Sequence, residues 1–198
     1  MKLAKQAIKE ILQHVKKVTE DIKGEQIEQL VKKLISARRV FVYGTGRSGL
    51  VSKAFAIRLS HLGMEVFAVG DTITPPIGKG DVLFCVSGSG KTESVVLLAK
   101  TAKKLGAEVI SITSDTKSSL AKISDIVLRI KGRTKNDILK EEKDYLAAQI
   151  KGKDSPLSPM GTLFEDSCLL FLDGVVVELM NRIGKTEKDM RKRHMNME

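Results

Sequence analysis

The chain has no tryptophan, only two cysteines, and aromatic residues at just 4%. Each scarcity excludes something. Without aromatic side chains to stack bases, a nucleic-acid groove has little to build with, despite a formal net charge of +10. The lysines are also interleaved with glutamates, as in Lys140-Glu141-Glu142-Lys143. That pattern reads as a solvated basic surface that draws in an anionic metabolite. Cys85 and Cys168 stand in apolar surroundings without metal-ligand spacing. They are expected as buried free thiols in a reducing compartment, with no metal site. No apolar run is long enough to span a bilayer, and Met1-Lys2-Leu3-Ala4-Lys5 lacks the apolar block of a signal peptide. The expectation is a cytoplasmic protein with no membrane or nucleic-acid partner.

What is present is a patterned chain of 198 residues, 42% hydrophobic and 29% charged, enough for one domain with a sizeable core. Leu3, Ile8, Ile11, Leu12, Val15, Val18 and Ile22 recur at helical spacing, and Ile27, Leu30, Val31, Leu34 and Ile35 mark a second helix. Two helices before any strand (residues 1–36) need something to cover, either a domain edge or a partner subunit. Residues 37–130 then alternate. Strands are expected at 39–43, 64–69, 82–86, 109–112 and 126–130, with helices between them, the last a short one at 118–123. This alternation implies a doubly wound α/β sandwich on a five-stranded parallel sheet. From Lys131 to Ser158 the apolar pattern lapses into a lysine-rich insertion with one modest helix around Ile138–Ile150. Ser158-Pro159 reads as an N-cap followed by proline at the first helical position. The helix that follows, to about Ile183, is apolar on nearly every side, which suits burial between the sheet and another subunit.

Two loops carry the chemistry. The third strand breaks into Ser87-Gly88-Ser89-Gly90-Lys91-Thr92-Glu93-Ser94 before the next helix begins. A strand–loop–helix of this composition gathers hydroxyls, unpaired backbone N–H groups and the positive end of a helix dipole around one point. It is a site for an anion, most often a phosphate. Gly90-Lys91-Thr92 is not the end of a nucleotide P-loop, because the first glycine would have to stand where Cys85 is. The first strand runs into Gly44-Thr45-Gly46-Arg47-Ser48-Gly49, which fits the dinucleotide pattern G-x-G-x-x-G, with Asp71 near the end of the next strand. A nicotinamide dehydrogenase is therefore one reading. Two anion loops at the carboxyl ends of parallel strands suit a compact phosphorylated metabolite at least as well.

Glu165 shares a helical face with Cys168, Leu169 and Leu172, at offsets three, four and seven. A carboxylate heading an apolar stripe is costly to bury, and partial desolvation suits a general base. Asp173, deeper in the same helix, is the rival. Asp166 lies on another face.

Taken together, Tyr43–Gly49, Ser87–Ser94 and Pro159–Glu165 resemble the sugar isomerase (SIS) family. Arg58–Gly63, Gly70–Pro75 and the terminal Arg193-His194 support the resemblance, which covers almost the whole chain. It implies a single SIS domain of flavodoxin-like fold acting on a sugar phosphate, without cofactor. Within the family the motifs are most similar to members that interconvert 3-hexulose 6-phosphate and fructose 6-phosphate. By this resemblance Ser48, Ser87, Ser89 and Thr92 would bind the phosphate. Gly46 and Arg47 would line the sugar, and Glu165 would be the base that moves a proton through an enediolate. His61 and His194 match family histidines that reach the site, in cis or across a subunit boundary, and a homo-oligomer, dimer or tetramer, is expected. Another sugar-phosphate isomerase and a non-catalytic sugar-phosphate-binding module of the same fold remain open alternatives.

Overall fold

The structure is a computed structural model and describes residues 2–132 and 157–194. Five parallel strands, β1 (Val40–Gly44), β2 (Val66–Ala68), β3 (Val82–Val86), β4 (Glu108–Thr113) and β5 (Ile126–Arg129), form one sheet in the order β2-β1-β3-β4-β5. β3 sits at the centre, and all five of its residues are buried. Central parallel strands are covered on both faces, which is why Val82-Leu83-Phe84-Cys85-Val86 is a continuous apolar run rather than an alternating one. At the edge, β2 is limited to three half-buried residues, shorter than the 64–69 expected from its sequence. It has one neighbour to pair with, and its register to β1 ends at Val42–Ala68.

The alternation of side chains along the strands sorts the core into two layers. Val40, Val42, Val82, Phe84, Val86, Ile110 and Ile112 face one way, toward α1 (Lys2–Asp21), α2 (Gly24–Ser36), α3 (Gly46–His61), α6 (Thr162–Ile183) and α7 (Glu187–Arg191). Phe41, Leu83, Cys85 and Val109 face the other way, toward α4 (Glu93–Lys104) and α5 (Ser119–Ile123). This is the doubly wound three-layer arrangement expected. No helix among the described residues is long and apolar enough to cross a membrane.

Three expectations for the termini of the chain need restating. The expected helix around residues 138–150 lies outside the described residues. Ser158 is not the N-cap of α6, which starts at Thr162. The Ser158 hydroxyl instead hydrogen-bonds the Glu10 carboxylate of α1. Gly161 becomes the cap residue in a left-handed conformation, φ +85°, that ends any helix run from the proline. Finally, α6 is not buried all round. Cys168, Leu172, Val175 and Leu179 are sealed in the core, whereas Leu170 and Val177 are 50% and 66% exposed. The outward side of α1 is likewise apolar, with Leu3, Ile8 and Leu12 exposed.

Candidate active site

The sheet order dictates where a ligand can bind. From β1 the chain first moves outward to β2, then crosses back to place β3 on β1's other side. The connections after β1 and β3 therefore diverge, leaving a crevice beyond the carboxyl ends of these strands. A cavity of about 640 Å³ occupies it, lined by Thr45–Ser48, Val86–Ser89, Lys91 and Thr92, and by Met160, Gly161, Phe164 and Glu165 from the start of α6 and the turn before it. The two glycine and hydroxyl loops thus meet in one place, joined by the start of α6.

The chemistry of one wall is that of donors. Ser87 is buried, with its hydroxyl 3.4 Å from that of Thr92. The Ser89 hydroxyl accepts the Lys91 N–H at 3.2 Å, which fixes the turn. Thr45, Thr92 and Gly161 are the cap residues of α3, α4 and α6, and none of the three offers a side-chain hydrogen bond to its helix. By contrast α5 and α7, which do not border the cavity, are capped by Ser118 and Thr186. α2 is uncapped too, at Lys23, also away from the cavity. Three helix N-termini converge on one crevice, two with cap hydroxyls that do not bond their helix and one capped by a glycine, which leaves backbone N–H groups and partial positive charge for an external anion.

Glu165 supplies the opposite character. Its side chain is only 12% exposed, and it forms an ion pair with the Arg47 guanidinium, which also reaches Asp166 at 3.5 Å. The Glu165 hydrogen bond and charge raise the Arg47 pKa above its ordinary value, so the guanidinium is firmly cationic. An acidic group is thus held at the cavity rim by a cation from the other loop, 118 residues away in sequence. The expected apolar stripe beneath it is partly realised. Cys168 and Leu172 are buried, but Leu169 is 37% exposed, so Glu165 heads a seam and not a full stripe. The rival Asp173 is exposed on the outward side of α6, away from the cavity.

Of the residues singled out from sequence, Gly46, Arg47, Ser48, Ser87, Ser89, Thr92 and Glu165 all line the cavity. His61 and His194 do not. They sit together with ring centroids 5.2 Å apart at the far end of α3, roughly 22 Å from Gly46 at the rise of an α-helix. Burial, then the His194 and Arg58 charges, lower the His61 pKa below its usual value. Lys91, Met160, Gly161 and Phe164 line the cavity without having been singled out. Each had a signal, Lys91 in its place inside the hydroxyl loop and the other three in the Pro159–Glu165 motif. Both cysteines are buried and free. Burial pushes the Cys85 thiol up to about 12, and burial with the Glu165 charge raises that of Cys168. Neither is a thiolate nucleophile. No group of three or more His, Cys, Asp or Glu among the described residues could hold a metal ion.

A doubly wound sheet with a hydroxyl-rich anion loop at its switch point defines a class, and comparison with known proteins identifies it. The chain belongs to the SIS domain family, whose pattern matches residues 33–148. Its relatives include a 3-hexulose-6-phosphate isomerase of Bacillus subtilis, 36% identical over 191 residues that span 96% of this chain and 97% of that protein. A 3-hexulose-6-phosphate isomerase of Methanocaldococcus jannaschii is 35% identical over 90% of this chain and 88% of its own length. Among solved structures, a Methanococcus jannaschii protein for which that isomerase function was inferred superposes with a TM-score of 0.76 at 33% identity, each chain covered in full.

Proposed function

We propose that this protein is a sugar-phosphate isomerase that interconverts 3-hexulose 6-phosphate and fructose 6-phosphate. The observation that carries the reading is that one cavity presents an anion-binding wall and, across from it, a carboxylate paired to an arginine. A phosphate seated against Ser48, Ser87, Ser89 and Thr92 leaves the carbon chain pointing toward Glu165 and Arg47. The relatives' activity supplies the substrate.

The chemistry then follows from the substrate. Its carbonyl is on carbon 3, and closure to a five-membered hemiketal would need the oxygen of carbon 6, which carries the phosphate. The substrate arrives open-chain, so no ring-opening group is required. Glu165 removes the acidic proton on carbon 2 and an enediolate forms. A proton passes from the oxygen on carbon 2 to that on carbon 3, and Glu165, whose newly gained proton exchanges with solvent during the life of the enediolate, protonates carbon 3. The carbonyl ends on carbon 2. One base serves both steps because both carbons present the same face of a planar intermediate. The negative charge leaves the carboxylate and appears on the enediolate, and Arg47, already beside Glu165, can follow it without any net change of charge in the cavity.

In this reading His61 and His194 act in a neighbouring subunit's cavity, since the length of α3 separates them from their own. The exposed apolar residues of α1 and α6 are the surfaces a homo-oligomer would cover. Light scattering should find a dimer or tetramer, and a fully active monomer would remove both histidines from the mechanism. The buried reduced thiols go with a cytoplasmic setting. The reaction itself is tested by supplying the purified protein with 3-hexulose 6-phosphate and following fructose 6-phosphate, alongside a panel of other sugar phosphates and NAD. Turnover of a different sugar phosphate would change the substrate. Binding without turnover would make the protein a sensor, and turnover only with NAD would make it a dehydrogenase.

A further inference from the structure

Among the described residues, the cavity lining contains three charged side chains, Arg47, Lys91 and Glu165. Two of them neutralise each other. Arg47 is held by Glu165 and reaches Asp166 as well, so its charge is committed to carboxylates at the rim. Lys91 is held far less closely. Its ammonium is 3.7 Å from the nearer Asp115 oxygen, beyond hydrogen-bond reach, and both side chains are about half exposed. Asp115 is occupied elsewhere, because its other oxygen accepts the Lys117 N–H at 2.9 Å. An exposed pair of this geometry holds its members weakly. The neighbouring charge in the same loop is Glu93, in the first turn of α4 and outside the cavity lining.

The backbone fixes where Lys91 starts. Its N–H is tied to the Ser89 hydroxyl, placing it between Ser89 and Thr92, two of the hydroxyl residues that line the cavity. Hydroxyls and N–H groups can surround a phosphate but carry no full positive charge. A phosphate monoester changes from one negative charge to two at a pH of about 6. A site of neutral donors gains only modestly from that second charge, whereas a site with a mobile ammonium gains more.

We propose that Lys91 is the cation that reads the second negative charge of the substrate phosphate, exchanging its loose contact with Asp115 for the phosphate oxygens. Lys91 thereby makes the site selective for dianionic phosphate esters over monoanionic or sulfate analogues, a role distinct from that of the serine and threonine donors. The inference rests on the proposed function only in taking a phosphate ester as the ligand.

The experiment is calorimetric titration of the full chain with fructose 6-phosphate between pH 5.5 and 7.5, beside steady-state turnover. Wild-type affinity should rise across this range as the ester becomes a dianion. Lys91→Gln should flatten the rise and lower affinity about tenfold or more at pH 7.5, with kcat within a few fold. Lys91→Arg, which keeps the charge, should restore most of the affinity, and Asp115→Asn should tighten binding by releasing the lysine. Lys91 is exposed, so these variants fold. Affinity and pH dependence of Lys91→Gln equal to wild type would overturn the proposal, as would a wild-type protein that binds no phosphate ester. A wild type that shows the pH-dependent affinity but isomerises nothing would sink the isomerase reading while leaving the role of Lys91 supported.

Discussion

Strand β3 is flanked by two residues that are finished in opposite ways. Before it, Asp81 is fully buried and saturated. Arg38 and Arg39 donate to both of its oxygens at 2.9–3.2 Å, and the Gly78 N–H adds a third partner at 2.8 Å. After it, Ser87 is equally buried, yet its hydroxyl has only a long contact to Thr92. The helices follow a similar division, with α5 and α7 capped by their own hydroxyls and the three helices that open on the cavity uncapped, although α2, away from the cavity, is uncapped as well. In the proposed function, the donors left open at the carboxyl edge are the ones a ligand would satisfy. On that reading the amino-terminal edge carries stability and the carboxyl edge carries binding.

The comparison breaks most visibly at Glu165. Glu165→Gln keeps size and most hydrogen bonding but cannot accept a proton. Turnover should fall at least about a hundredfold while affinity stays within a few fold. Retained turnover would move the base elsewhere and reduce the rim to a binding surface.

Next in size is Gly90→Ala, which attacks the carboxyl edge through its backbone. Gly90 has φ +60°, and a Cβ there would stand 2.1 Å from the Ser118 hydroxyl and 2.8 Å from that of Thr113. Strain and overlap together should cost roughly 1–3 kcal/mol of stability and displace the loop, so ligand affinity should fall as well. Thermal melts and titration check both halves of that outcome.

Ser89→Ala or Thr92→Ala should weaken phosphate-ester binding by roughly 1–3 kcal/mol, as for loss of a hydrogen bond to a charged group. The melting temperature should barely move, and a sugar lacking the phosphate should lose far less. Equal losses for both ligands would show that the loop does not read the phosphate.

The mirror-image experiment is Asp81→Asn. Burial alone would raise the Asp81 carboxyl, but hydrogen bonds from Arg39, Arg38 and the Gly78 amide outweigh it and hold its pKa at about 2, below the ordinary aspartate value of 3.8. Because the folded value is the lower one, the stability it contributes is fully present above about pH 4 and is lost as pH falls through about 2. Acid titration of the fold should show this loss in the wild type and not in the variant. Asp81→Asn should lower stability without changing ligand affinity, and a loss of affinity would merge the two edges into one.

Much of this division was legible from the chain alone. Continuous apolar runs marked the buried strands, and the break from Val86 into Ser87-Gly88-Ser89 marked the loop, because local composition and local backbone demands coincide there. What escaped depends on partners distant in sequence. Ser158 has the composition of a cap, but its hydroxyl goes to Glu10, 148 residues away. The Arg47 partner of Glu165 comes from the other loop. Leu169 and Asp173 face outward because α6 packs against the core on one side only, a geometry that an all-round apolar sequence conceals. His61 and His194 share a family pattern with the site but not its location within one chain.

The central claim, that Glu165 moves a proton at the cavity rim, is tested most directly by isotope exchange. The protein is incubated with 3-hexulose 6-phosphate in deuterated water, and the product is read for deuterium bound to carbon. Proton transfer through an enediolate predicts solvent deuterium in the fructose 6-phosphate formed by the wild type, and none with Glu165→Gln. Product from the wild type that keeps its original hydrogen within the sugar would point to a hydride shift and contradict the account. So would a Glu165→Gln variant that still exchanges.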